Sequence, residues 1–283
     1  MNVFASIPSP HRGVVDIGPI PLRAYGLMLA LGIFAAVSVA ERRAQRAGLE
    51  EGTVRSVATP VVIAGVVGAR VYHLFTGYDW HRDGLVGTLQ IWKGGLSIWG
   101  AVFGGAVALW WVTRASAVDR VVLFDAMAPA VAIGQAIGRW GNWFNQELFG
   151  RPTTLPWGLK IDLANRPLEF KSYATFHPTF LYESLWCVAI FVFIEALERR
   201  RKLRRGHPCA LYVVLYTFER FWMELLRTDK ATHVFGIRFN ALLSAALCIG
   251  GMVAFIGRRR AATIVVERHP SVSNHHVSDE PSV

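Results

Sequence analysis

Seven apolar runs, each close to the roughly 20 residues that a helix needs to cross a bilayer, leave this chain few ways to fold. They cover Leu22 to Ala40, Val54 to Phe75, Gly94 to Val112, Val121 to Arg139, Thr179 to Leu197, Ala210 to Arg227 and Ile237 to Gly257. A composition of 53% hydrophobic residues over 283, with mean hydropathy +0.33, is too apolar for an ordinary soluble domain of this length. The expected fold class is therefore an all-α integral membrane protein with seven transmembrane helices.

Charge gives the runs a direction. The net charge is +10, and the excess sits in short clusters between runs: Arg42, Arg43 and Arg46; Arg114 and Arg120; Arg199 to Arg205; Arg258 to Arg260. That pattern follows the positive-inside rule and argues against nucleic acid as a partner. It predicts a plasma-membrane protein with its N-terminus outside, its C-terminus cytoplasmic and the long loop Gly141 to Pro178 outside. A membrane unit is expected over 1–257 and a disordered cytoplasmic tail over 258–283. The segment Met1 to Pro21 has no basic stretch before its first apolar run, so no cleaved signal peptide is expected. Cys187, Cys209 and Cys248 have neither CxxC spacing nor a disulfide framework and read as small reduced hydrophobes; no metal site is expected. There is no internal repeat of the kind inverted-repeat transporters carry.

Polar residues inside the runs carry the chemistry. Gly134, Gly138 and Gly141 recur at i, i+4 and i+7 and make a helix face without side chains, open to a neighbouring helix or a lipid headgroup. Arg139 lies beside that face, where an unpaired charge is costly. Tyr216, Arg220, Glu224 and Arg227 form one helical stripe, which is either an internal ion-pair ladder or part of an anion site. In this reading Glu224 offsets one arginine and leaves the other free. Arg70 either snorkels or contacts substrate. Glu183 is either a first-turn acid favoured by the helix dipole or the partner of an arginine across the bundle. All of these fall in the outward halves of their runs, which predicts an outward-facing, arginine-lined cavity. Guanidinium groups bind phosphate through paired hydrogen bonds, stabilise charge on a departing phosphate and help a nearby thiol to ionise. The residues alone thus point to an enzyme or binder acting on an anionic phospholipid.

The stretch Gly138-Arg139-Trp140-Gly141-Asn142-Trp143-Phe144-Asn145-Gln146-Glu147-Leu148-Phe149-Gly150 resembles the signature of the prolipoprotein diacylglyceryl transferases. The resemblance extends to Tyr25-Gly26-Leu27-Met28, to His177 through Glu183 and to the Tyr216, Arg220, Glu224, Arg227 stripe, covering about Pro21 to Gly257. It implies transfer of the diacylglyceryl group of phosphatidylglycerol to the lipobox cysteine of a preprolipoprotein, forming a thioether and releasing glycerol phosphate, with no metal or organic cofactor. Carried over by position, Arg139 and Asn142 match residues for phosphatidylglycerol binding, with Glu147 and Gly150 completing that motif. Arg220 matches an arginine required for transfer. Tyr25, Tyr216, Glu224 and Arg227 match supporting residues. Arg70, from its place in the second run and not from the resemblance, is expected to join the phosphatidylglycerol-binding set.

One position departs from the family. Members often carry a histidine in the third run, proposed as base for the thiol, and Gly94-Gly95-Leu96-Ser97-Ile98-Trp99-Gly100 puts Trp99 there. Indole cannot accept a proton. The expected alternative is a thiolate favoured by Arg139 and Arg220, its proton passing to water or a nearby carboxylate. Two rival readings are weaker. An intramembrane serine protease built on Gly95-Leu96-Ser97 lacks a base beside the serine. A transporter for an anionic solute predicts polar residues along both halves of a pathway, whereas the inward halves here are plain Val, Ala and Leu.

Overall fold

The computed structural model describes residues 6–17, 20–76, 84, 98–114, 118–200, 203–229 and 233–267. Among these are seven α-helices of at least 17 residues: α1 Ala24–Arg46, α2 Thr53–Thr76, α3 Ile98–Arg114, α4 Arg120–Asn145, α5 Thr179–Arg199, α6 His207–Leu226 and α7 Phe239–Glu267. Five of them (α1, α2, α4, α5 and α7) are long and apolar enough to cross a membrane. Helix α3 is shorter, and α6 carries Glu219, Arg220 and Glu224. The architecture is all-helical, as expected, with three short two-stranded hairpins at the helix connections: Val14–Ile17 with Ile20–Arg23, Leu159–Lys160 with Thr175–Phe176, and His233–Val234 with Ile237–Arg238.

Small residues let the helices approach backbone to backbone. A Cβ on Gly32 would lie 2.6 Å from the Gly134 carbonyl oxygen, so α1 and α4 touch through main chain. Gly68 and Gly100 do the same for α2 and α3. Side chains such as Phe34, Phe103 and Val253 point outward, as lipid-facing residues do.

Carboxylates from neighbouring helices set where two helices begin. Glu41 of α1, 2% exposed, accepts hydrogen bonds from the backbone N–H groups of Gly52, Val54 and Arg55 at the start of α2. Asp125 of α4 accepts from Gly206 and Cys209 at the start of α6. Both complete helix N-termini whose first N–H groups have no partner within the helix. Asp119 caps its own helix, accepting from Val121 and Val122 at 3.0 and 3.3 Å.

Two boundaries differ from those the sequence predicts. Helix α4 runs past Arg139 to Asn145, where Gln146 takes a left-handed conformation (φ 51°) and its N–H meets the Trp143 carbonyl. The polar Asn142 therefore lies on the helix, three residues beyond Arg139 and on nearly the same face. At the other end of the chain, α7 continues through the arginine cluster to Glu267, into the segment expected to be a tail. The loop around Tyr78 to His81 and the Gly94 to Ser97 stretch lie outside the described residues, as does the side chain of Trp99.

Candidate functional site

The site lies at the end of the bundle where α1, α5 and α7 begin and α2, α4 and α6 end. Glu183, 2% exposed and just past the first turn of α5, is shared by two arginines from different helices. Arg139 of α4 pairs with its Oε2, and Arg220 of α6 donates to the same oxygen at 3.1 Å. The expected choice between a dipole-stabilised acid and a partner for arginine thus resolves towards the partner. Arg220 also donates to Glu224 Oε1 at 2.7 Å.

Glu224 is fully buried and accepts from two more groups. Arg238, just before α7, donates to Oε2 at 2.9 Å, and Asn240 donates to Oε1 at 3.4 Å. Arg227 lies 3.6 Å from Glu224 and donates twice to Asp229, at 2.7 and 2.9 Å. The stripe on α6 is therefore a ladder of ion pairs, and Arg227 is not the free arginine expected of it. The sequence reading overlooked Arg238 and Asp229. An arginine at the second position of an apolar run, as Arg238 is in Ile237 to Gly257, was the available signal for the first. Four guanidinium groups meet three hydrogen-bonded carboxylates here, and the buried Glu219 lies close enough to Arg139 and Arg220 to act on them.

Arg139 faces a cavity of about 450 Å³. Its polar end is formed by Tyr25, Gln135, Gly138, Arg139, Asn142 and Tyr216. From there an apolar groove continues between α1, α2 and α4, along Leu29, Ile33, Ala36 and Ala40 on one side and Ala58 and Val61 on another. The glycine face divides its work. Gly134 receives α1, and Gly141 receives the Tyr25 ring, where a Cβ would stand 2.7 Å from it. A Cβ on Gly138 would meet nothing within 4 Å, so this glycine opens onto the cavity.

Other expected site residues act at one remove. Glu147 accepts from Asn142 Nδ2 at 2.9 Å and Asn145 Nδ2 at 3.3 Å, and so orients Asn142. Gly150 is wedged at a chain crossing: its N–H donates to the His177 carbonyl at 3.0 Å, and a Cβ would lie 2.8 Å from that of His177. A side chain here would crowd His177 and Leu226. Arg70 is buried in α2 and is not among the described residues lining the cavity. Gln146, beyond its capping role, donates to Asp162 at 2.7 Å and accepts from the Asp162 N–H, pinning the loop to the end of α4. His177 is held by the Tyr182 hydroxyl at 3.3 Å, and burial lowers its pKa, which keeps it neutral.

Comparison with known proteins places the chain in a family. The prolipoprotein diacylglyceryl transferase family profile matches residues 12–257. A phosphatidylglycerol–prolipoprotein diacylglyceryl transferase of Frankia alni is 47% identical over 261 residues, 91% of this chain and 69% of that protein. Its counterpart in Frankia casuarinae is 46% identical over 89% of this chain and 62% of its own length. The second such enzyme of Streptomyces coelicolor is 45% identical over 96% of this chain and 84% of its own. With a profile match over most of the chain and relatives above 40% identity, the chain belongs to the prolipoprotein diacylglyceryl transferase family.

Proposed function

We propose that this chain transfers the diacylglyceryl group of phosphatidylglycerol to the lipobox cysteine thiol of preprolipoproteins, forming a thioether and releasing glycerol phosphate. The observation that carries the reading is the shape of one cavity, with a guanidinium and an amide at one end and an apolar groove leading away. From Tyr25 to Ala40 that groove follows α1 for about 22 Å at 1.5 Å per residue, longer than one leaflet of hydrocarbon at about 15 Å. A phospholipid has the same division of polar head and long tail.

In the proposed reaction Arg139 and Asn142 hold the phosphate, with Tyr25 and Tyr216 beside it. Arg220 is the second arginine of the transfer, fixing Arg139 through their shared Glu183 and adding positive potential. The lipobox thiol loses its proton, its sulfur bonds to the glyceryl carbon, and the carbon–oxygen bond breaks with its electron pair passing to the phosphate. Fixed guanidinium groups stabilise that charge without having to reorganise. With Trp99 at the family's histidine position, the proton goes to water or a carboxylate.

The same reading includes a bilayer arrangement. All seven helices span the plasma membrane, the N-terminus and the site face outward, and the arginine-rich ends and C-terminus are cytoplasmic. The alternating directions of the helices and the charge clusters support it. The transferase unit is 1–257.

The test is purified enzyme with labelled phosphatidylglycerol and a lipobox peptide. A thioether-linked, diacylglyceryl-bearing peptide is expected. Folded enzyme that yields none overturns the reading.

A further inference from the structure

The α4 wall of the cavity changes character over one helical turn. Read inward from its polar end it presents Asn142, Arg139, Gln135, Val131 and Met127, each three or four residues from the last, so Gln135 is the innermost polar side chain on that wall. It lies one turn deeper than Arg139, about 6 Å at 1.5 Å per residue. Its amide is held from behind. The Tyr212 hydroxyl donates to Oε1 at 3.0 Å, and Sγ of the buried Cys187 lies 4.0 Å from the same oxygen. Tyr212 is in turn stacked on Tyr216, with ring centroids 5.7 Å apart and an angle of 11° between the planes. Two donors on Oε1 fix which way the amide faces and leave Nε2 as its free end. Nε2 has no hydrogen-bond partner among the described residues and is not buried, and the open space beside Gln135 is the cavity.

We propose that Gln135 selects ester-linked lipid: its Nε2 donates to an ester carbonyl of the diacylglyceryl group while Arg139 holds the phosphate. This rests on the transferase reading and names what recognises the body of the lipid as distinct from its head. In a diacyl phospholipid the ester carbonyls stand between the phosphate and the chains, and they are the last acceptors before hydrocarbon. They lose water on entering an apolar groove, where a carbonyl without a donor is costly. A neutral, pre-oriented donor one turn below Arg139 meets that need without competing for the phosphate. An ether-linked lipid has no such carbonyl and leaves Nε2 unpaired. The contact is remote from the carbon–oxygen bond that breaks, so it is made alike in ground and transition states and acts on KM, not on kcat.

The experiment measures transfer to a lipobox peptide from two phosphatidylglycerols of equal chain length, one diester and one diether, by wild type, Gln135→Met and Gln135→Asn. Methionine keeps the volume and removes the donor; asparagine withdraws the donor by one methylene. Wild type must use the diester lipid; folded enzyme that does not would refute the transferase reading itself. Wild type is expected to favour the diester lipid roughly 10-fold in kcat/KM, the scale of one neutral hydrogen bond whose donor is otherwise left unpaired. Gln135→Met is expected to lose that preference by a higher KM for the diester lipid, with the diether lipid used nearly as before. Comparing the two ratios cancels any difference in intrinsic reactivity between the lipids. A ratio unchanged in Gln135→Met overturns the proposal, and an equal fall with both lipids is what disturbance of Tyr212 and Tyr216 alone would give. If Gln135→Met does not fold, an unchanged ratio in Gln135→Asn overturns it. Equal use of the two lipids by wild type overturns it whatever the variants do.

Discussion

Arginines joined to carboxylates hold both ends of the helix bundle, and the two sets differ in what is left over. At the end where α1 stops and α6 starts, Arg43 is 7% exposed. It pairs with Glu195 and Glu198 of α5 and donates to the carbonyls of Ala126 and Asp125 of α4, both at 3.0 Å. Asp119 pairs with Arg205, and Arg46 lies 3.5 Å from Glu195. At the opposite end Arg139 and Arg220 share one carboxylate, Arg139 faces a cavity, and Glu219 has no hydrogen-bond partner among the described residues. The first set fastens three helices and borders a cavity of about 490 Å³ whose lining is mostly charged. The second is open in a different way: Arg139 stands at the polar end of a cavity that continues as an apolar groove along α1. Burial and ion pairing are common to both, so neither property marks the site.

The contrast breaks most visibly if the fastening set is cut. Arg43→Ala strands Glu195 and Glu198 beside each other and frees two carbonyls. Removing one partner of a buried pair costs about 3–5 kcal/mol, and the lower end applies because Arg46 and Arg199 remain near Glu195. The expected result is a large drop in thermal midpoint in detergent, with transfer per folded molecule unchanged. A variant with the stability of wild type and impaired transfer would reverse the assignment of the two ends.

The second prediction concerns the open set. Arg139→Lys keeps the charge but loses the planar fork that can hold Glu183 and a phosphate together. Loss of a donor aimed at a developing anion costs about 100-fold or more in kcat, and the lysine variant is expected to fall nearly as far as Arg139→Ala. Steady-state transfer with a lipobox peptide checks this. A lysine variant at wild-type rate would show that Arg139 supplies charge alone.

The sequence made the frame legible because a membrane span has to be continuous. The starts and ends of α2 and α5 fall within two residues of the predicted runs. Arg139, Asn142, Tyr25 and Tyr216, singled out as polar residues in an apolar chain or through the family signature, do meet at one cavity. The rest depended on partners brought in from afar. Arg238 meets Glu224 only because the hairpin at His233–Arg238 folds back over α6, and no local spacing encodes that. Arg43 read as one more topological charge, yet is buried, because Glu195 and Glu198 arrive from another helix. Gly150 looked like part of a binding motif, and what it supplies is clearance at a crossing with His177 and Leu226.

The smallest effect sits at the outer rung of the ladder and asks whether that rung belongs to the fastening or to the site. Burial alone would raise the pKa of Asp229, but hydrogen bonds and charge from Arg227, with Arg238 close by, overcome it and hold the carboxyl below the ordinary range. A carboxylate depressed on folding adds stability above its unfolded pKa of about 3.9 and loses it as pH falls through the folded value. Asp229→Asn should therefore destabilise the protein at neutral pH, by less than about 1 kcal/mol since the group is partly solvated. Wild type and variant should converge in strongly acidic buffer. Transfer at neutral pH should change little, because Glu224 still holds Arg220 and Arg238. A pH-independent stability gap would mean that Asp229 acts by packing, and a large loss of transfer without loss of stability would extend the site outward to Arg227.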